Sequence, residues 1–488
     1  MGEVLPVIGK LIWGRAVCNN SDITLILIII LSGFLSTFSL ALVTILLPSI
    51  SVTYNIGTSL ASWVLLFPFL LNMSFGLVVG KIGDKIGFKR IFLWGIFLFT
   101  IGSLLCGTSV GIYMLIASRG LQAIGVSMFL TVGIASIYGR LHTDLQGRAM
   151  GCLTALESLG AAAGFFFGGL IDHQFGWKWA FLITIPAACA ILLIASVVMP
   201  KDEKRCENGR LDIFGAAIVT VSFFALTFSF NMGKEFGWTS PIIIGCLIIF
   251  FFGIAAFIVR EKRIAEPIVD ISLFKSFRFI SDNLVGFFIY LAISGSFFLF
   301  PLYFGFVSRM ESSKVGLIMT LVQLCIVVTA LVAGYLIDRF GAEKTRACGM
   351  IIAAASLLLL SYAAKDARPD HIFYLATVTL GTSFSLVFPA NAELMLGSCP
   401  MGKKGSATSV TGMFLGLSGL FGTVLFETVL TLAPVINDNR FLEFRELPLA
   451  DQITGVQSAF MLGFASCLAA IIVAYWAAKK YGSNYDCG

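Results

Sequence analysis

The chain has 488 residues, of which 58% are hydrophobic and 12% charged, and it carries a formal net charge of +6. A charged fraction about half that of ordinary soluble domains excludes a water-facing globular protein and places the chain in a bilayer.

The first 22 residues, MGEVLPVIGKLIWGRAVCNNSD, contain no cleavable signal pattern and read as a short cytoplasmic or interfacial segment, 1–22. Fourteen apolar stretches follow: 23–48, 60–80, 91–109, 112–138, 148–172, 178–199, 211–232, 240–260, 280–306, 313–337, 345–363, 371–395, 405–433 and 454–477. At about 1.5 Å per residue each can cross a hydrocarbon core of roughly 30 Å as a helix, and lipid offers the backbone no other way to satisfy its polar groups. The expected architecture is an all-α membrane protein with fourteen transmembrane helices. An amino-terminal six-helix bundle occupies 23–200, a linker with two extra transmembrane helices 201–262, a carboxy-terminal six-helix bundle 263–478 and a cytoplasmic tail 479–488.

Orientation follows from the basic residues. Counting any within a turn of a span end with the adjoining connection, the connections on the amino-terminal side hold 24 of the 33 Lys and Arg, the opposite loops hold 8, and Arg119 alone lies within a span. That asymmetry predicts both termini in the cytoplasm. The positive excess is then a topology signature that requires no nucleic acid.

Of the eleven cysteines, Cys18, Cys206, Cys399 and Cys487 fall in cytoplasmic segments and seven within spans, so neither a disulfide framework nor a metal site is expected. The three histidines, His142, His173 and His371, stand at loop ends without companions, which argues against a membrane enzyme. No cofactor is expected. The bilayer and a small-molecule substrate are the expected partners, and the monomer the expected working unit.

One string occurs twice. GKIGDKIGFKR starts at Gly80 and GYLIDRFGAEK at Gly334, 254 positions later, each closing an apolar run on the cytoplasmic side. Both fit Gly-x-x-x-Asp-(Lys/Arg)-x-Gly-x-x-(Lys/Arg): Gly80, Asp84, Lys85, Gly87 and Arg90, with Lys89 beside it, then Gly334, Asp338, Arg339, Gly341 and Lys344. Eight spans separate them, a six-helix repeat plus an inserted pair. The glycines permit a tight helix-to-helix reversal, and Asp84 can face a helix amino terminus, worth roughly 0.3–2 kcal/mol. A loop that merely keeps its charges inside is the alternative reading for Lys85, Lys89 and Arg90.

Two parallel six-helix halves with such loops resemble the major facilitator superfamily. RGLQAIG (Arg119 to Gly125) resembles its fourth-helix motif, GAAAGFFFGG (Gly160 to Gly169) its fifth-helix antiporter motif with Gly160, Gly164, Gly168 and Gly169, and GWKWAFLITIP (Gly176 to Pro186) the signature that follows. EPIVDISLFKSFRF (Glu266 to Phe279) is similar to the entry into span 9 of the fourteen-helix drug/proton antiporter branch, the multidrug efflux type. The resemblance implies a proton-coupled exporter of the cell (plasma) membrane, driven by the proton gradient, in which the first loop latches the inward gate. Two departures weigh against antiport: Ser39 stands where branch members carry a span-1 aspartate, and Phe165 where the fifth-helix motif has proline.

Charges inside spans are costly and mark function. By depth, Glu393 and Glu427 read as interfacial, solvated carboxylates. Arg119 and Glu157 lie deeper, with roughly 6 Å of vertical offset. At 100° per residue Glu157, Gly160, Gly164 and Gly168 fall within about 60°, so the carboxylate faces protein along the glycine stripe. An Arg119–Glu157 contact with Gln122 as a further partner is the expectation, either as a static pair fixing helix register or as a titrating site where proton and cargo compete. The resemblance implies proton coupling at Arg119. Phe67, Tyr290, Tyr303, Gln323 and Asn391 are expected to line an aromatic, nearly uncharged cavity for lipophilic or amphipathic molecules, or a lipid-like metabolite.

Asp84→Asn is predicted to lower turnover more than membrane abundance and to shift the resting population toward inward-open. Labelling of cytoplasmic-side cysteines reads that shift, and unchanged labelling removes the latch.

Overall fold

The computed structural model describes residues 20–140, 143–199, 213–264, 271–397, 404–438, 444 and 447–481, so the segment 1–19, the start of the linker and the tail lie outside the described residues. Among the described residues there are fourteen helical rods and no strand. They are α1 (Asn20–Tyr54), α2 (Thr58–Ile86), α3 (Phe88–Gly107), α4 (Ile112–Arg140), α5 (Thr143–Phe175), α6 (Trp177–Leu182 and Thr184–Val198, joined at Ile183), α7 (Ile213–Phe236), α8 (Pro241–Glu261), α9 (Phe277–Leu302), α10 (Ser312–Phe340), α11 (Ala342–Ala363), α12 (His371–Gly397), α13 (Lys404–Asp438) and α14 (Leu449–Tyr481). Twelve are long and apolar enough to cross a membrane, while α2 and α7 contribute shorter apolar stretches, Thr58–Asn72 and Ala217–Gly233.

Pairing in one half repeats in the other. In the first half α5 packs along α1, α4 along both α2 and α3, and α6 against α1 and α3. In the second, α13 packs along α9, α12 along both α10 and α11, and α14 against α9 and α11. The halves meet where α5 lies on α10 and α2 on α13, two seams related by the same internal symmetry. Helices α7 and α8 pack on each other, and α7 also rests on α2 and α13.

The repeated string shapes equivalent corners. Gly87 has φ +107° between α2 and α3, and Gly341 has φ +86° between α10 and α11, a region that a Cβ makes costly. Each amide closes its helix, Gly87 N donating to Gly83 O at 2.9 Å and Gly341 N to Ile337 O at 2.8 Å.

In lipid the association of helices rests on close packing, because the tails are as apolar as the side chains. The α5 stripe supplies it: a Cβ at Gly160 would strike Phe34 O and one at Gly164 Phe38 O, while one at Gly168 would crowd the Leu42 side chain at 3.1 Å, all on α1. Gly169 looks the other way and meets Ser312 O and Gly316 on α10. Phe165, standing in place of the motif proline, leaves α5 an unbroken helix, and its ring stacks on Phe297 of α9 at 6.3 Å. An irregular turn occurs elsewhere: Pro301 near the end of α9 lacks a ladder donor, and Tyr303–Val307 continues the rod as a π turn.

Gly160→Leu inserts a side chain where two backbones touch and is expected to cost about 1–3 kcal/mol. Thermal unfolding of the purified protein in detergent should show a lowered midpoint, and an unchanged midpoint would contradict the α1–α5 packing.

Candidate functional site

A cavity of about 200 Å³ lies between the halves, walled by α1, α2, α5, α9, α10, α12 and α13. Its lining is dominated by rings, among them Phe69, Phe165, Tyr290, Phe297 and Phe384, with Thr37, Ser294, Gln323 and Thr423 as polar points and no Asp, Glu, Lys or Arg. Such a chamber offers apolar area and a few hydrogen bonds and no fixed charge.

Only part of the expected lining is there. Tyr290 and Gln323 face the cavity. Phe67 instead packs on Gly120, where its ring fills the space of a missing Cβ. Tyr303 belongs to the core at the far end of α9: its ring stacks on Phe373 at 4.6 Å and its hydroxyl donates to Asp366 O at 3.0 Å. Asn391 accepts from Arg346 at 3.0 Å, within a polar network of the second half. Ring count alone could not separate cavity from core in a chain with 46 phenylalanines.

Arg119 and Glu157 do not meet. Arg119 is buried, its Nη1 donating to Gln122 Oε1 and its Nε to Val64 O at 3.3 Å. Gln122 Nε2 donates on to Ser103 Oγ at 2.8 Å, which lies 3.1 Å from Thr184 Oγ1. The network therefore ties α4 to α2, α3 and α6. Glu157 is half-buried against α1: Thr37 Oγ1 donates to its carbonyl at 2.7 Å, and a Cβ at Gly33 would approach Oε1 to 3.2 Å. The reason is the glycine stripe, which sets the Glu157 face of α5 against α1. Glu157 lies one turn from Ala161 on the cavity wall.

Two polar clasps that the sequence reading missed join the halves at the face opposite the chain termini. At the α5–α10 seam, Asp172 Oδ2 accepts from Ser49 of α1 and Ser312 of α10, both at 2.5 Å. Below it Thr320 Oγ1 donates to Ala162 O at 3.1 Å. At the α2–α13 seam, Ser59 Oγ donates to Glu427 Oε1 at 2.8 Å, and Asn231 of α7 reaches Glu427 Oε2 at 3.3 Å and Ser62 Oγ at 3.0 Å. Glu427 is fully buried, which corrects its reading as an interfacial carboxylate: α2 and the inserted α7 cover it. Glu393 is exposed. Depth along one span gives no sign of the neighbouring helices that bury a side chain or supply its hydroxyl partners.

At the termini face, Lys89 and Arg339 each make side-chain bonds within their own half. Lys89 Nζ donates to Ser196 O and Met199 O, both at 2.7 Å, and so caps the end of α6. Asp338 and Arg339 are exposed, Arg339 donating to Tyr335 Oη at 2.8 Å. Arg90 is exposed too, and Gly80 and Asp84 lie outside the residues whose side chains are described. A Cβ at Gly334 would enter open space.

Comparison with known proteins agrees with this geometry. The Major Facilitator Superfamily model matches residues 29–423, and the chain belongs to that superfamily. It is a multi-pass protein of the cell membrane, of a family of transporters for small molecules. It is 28% identical to the riboflavin transporter RibZ of Clostridioides difficile over 93% of this chain and 98% of that protein. It is also 28% identical to the multidrug transporter protein MdtP of Bacillus subtilis, over 83% of this chain and 74% of that one. Among solved structures, the peptide transporter POT in complex with sulfate superposes with a TM-score of 0.68 at 12% identity, covering 93% of this chain and 95% of that chain, and shares the fold.

Asp172→Asn is expected to weaken both serine contacts, each worth about 1.5–3 kcal/mol when the acceptor is charged, and to raise the population open at that face about tenfold or more. Maleimide labelling of a cysteine placed at Val315, in a background lacking the native thiols, measures it. Labelling no faster than in the parent would remove the clasp.

Proposed function

We propose that the protein is a secondary active transporter that exports lipophilic or amphipathic small molecules in exchange for protons, by alternating access of the central cavity. The observation that carries this reading is the cavity at the symmetry seam, ringed by aromatic side chains and free of lining charges. A flat, neutral or weakly charged compound suits it better than a dication. Similarity to a multidrug transporter supports the same reading.

The asymmetry of Lys and Arg supports fourteen crossings with both termini in the cytoplasm. In that orientation the clasped face is extracellular, and its clasps support reading the conformation as inward-facing. Glu157, beside the cavity and half-buried, serves as the proton site. Its ionised form accepts cargo from the cytoplasmic side, and protonation from the outer side, after cargo has left, allows the return that carries the proton inward. Arg119, held by Gln122 and the Val64 carbonyl, fixes the fourth helix against which that change works. The latch at Asp84 and its repeat at Asp338 re-form when the inner side closes. The monomer is the working unit, and the proton gradient supplies the energy.

A second reading is favoured by one comparison, the similarity to a riboflavin transporter along 98% of its length. A flavin presents a flat aromatic system and hydroxyls, which the rings and the Thr37, Gln323 and Thr423 side chains can also accommodate. The cargo is then a metabolite, moved by proton symport or facilitated diffusion.

Transport in proteoliposomes under an imposed pH gradient separates these readings, using lipophilic cations, neutral aromatic drugs, lipids and riboflavin. Movement of neutral aromatic compounds against the proton flow is expected, with rates that fall as the cargo-loading side is acidified and Glu157 holds its proton. Glu157→Gln should flatten that pH dependence, and Phe165→Ala should raise the half-saturating concentration about tenfold through lost ring contact. Normal proton exchange in Glu157→Gln would remove the residue from the mechanism, and movement with the proton or independent of it would replace antiport.

A further inference from the structure

A second cavity lies away from the transport path. Of about 290 Å³, it sits between the termini-face ends of α9, α11 and α14, on the outside of the second half. Its floor is charged, with Arg278 and Asp282 from α9 and Glu343 and Arg346 from α11. Its rim is apolar: Ile351 is 61% and Tyr475 64% exposed, surfaces that face acyl chains in a bilayer. A further hollow follows the same α11–α14 groove toward the opposite face.

Two groups of the floor make no hydrogen bond within the protein. Arg346 and Asp282 are 6% and 4% exposed and paired at 2.6 Å, yet Arg346 Nε and Asp282 Oδ2 are buried with no hydrogen-bond partner. Each open group costs about 1–3 kcal/mol. The space is about twice the roughly 150 Å³ that admits a benzene, far more than one water needs. The open groups are one donor and one acceptor. Beside them Arg278 and Glu343 form a second opposite pair at 3.7 Å, so the floor offers two cations against two anions. Lys480 at the same end of α14 stands 4.1 Å from the centre of the Phe277 ring.

A ligand with one charge of each sign and two chains for the groove meets all of these conditions. We propose that the cavity binds an aminophospholipid through its zwitterionic headgroup, the phosphate on Arg346 Nε and Arg278 and the primary ammonium on Asp282 Oδ2 and Glu343, with the acyl chains along α11 and α14. The ammonium N–H groups set the preference: choline has none to give Asp282, and an anionic glycerol headgroup brings a phosphate to a floor with no surplus cation. This site is independent of the cargo and its coupling.

Native mass spectrometry of the full-length protein in detergent tests it, with phosphatidylethanolamine, phosphatidylcholine and phosphatidylglycerol of matched chains and with soluble glycerophosphoethanolamine. Phosphatidylethanolamine should be retained about tenfold better than the other two, about 1.4 kcal/mol. Arg346→Lys keeps the pair with Asp282 but removes the Nε donor, and Ala478→Trp blocks the mouth on an exposed face without touching the pair. Each should lower retention to the phosphatidylcholine level. Competition by glycerophosphoethanolamine would assign binding to the headgroup alone, whereas its failure would assign it to the whole lipid. Equal retention of the three lipids, or retention unchanged in both variants, overturns the proposal.

Discussion

Everything in this molecule turns on how closely α5 can approach two partners at once. No solvent squeezes helices together in a bilayer, so their contact rests on dispersion between surfaces that fit and on polar groups with nowhere else to go. Gly160, Gly164 and Gly168 bring α5 down onto α1, and Gly169 brings it down onto α10. The first contact builds a half, and the second closes one face between halves. Asp172 stands at the junction of all three helices, where a carboxylate is stabilised only while serines from α1 and α10 both reach it. Contacts within a half and between halves thus share one helix.

The other seam solves the same problem with different chemistry. There α2 and α13 are joined through Glu427, and a third helix contributes: Asn231 of α7 binds Glu427 and Ser62, one on each side of the seam. The two halves repeat in topology, but their polar groups have diverged. The first half buries an arginine bound to an amide and a carbonyl. The second buries an arginine against a carboxylate, at the termini-face end. Matching backbones therefore carry separate electrostatic tasks.

Much of the fold was legible in the sequence. Apolar runs located the rods, and the duplicated Gly-x-x-x-Asp string exposed the internal repeat, because Gly87 and Gly341 must each adopt a positive φ at the same corner. The glycine spacing on α5 marked a packing face. It could not name the neighbour, and that is why Glu157 was matched to Arg119 when it lies against α1. Asp172, Asp282 and Arg346 sit at or near span ends, where a single charge reads as interfacial. Their importance arises from partners 64 to 140 positions away in sequence. Periodicity carries information within a helix, and tertiary pairing decides what each face meets.

The inserted helices have a geometric consequence. Because α7 lies over the α2–α13 seam, the two flanks between halves are unequal among the described residues: one is covered by an added rod, and the other, between α5 and α10, is not. A hydrophobic molecule dissolved in the surrounding lipid meets a doubly walled flank on one side and a single joint on the other. The lipid-facing flanks therefore differ in a body whose two halves otherwise match.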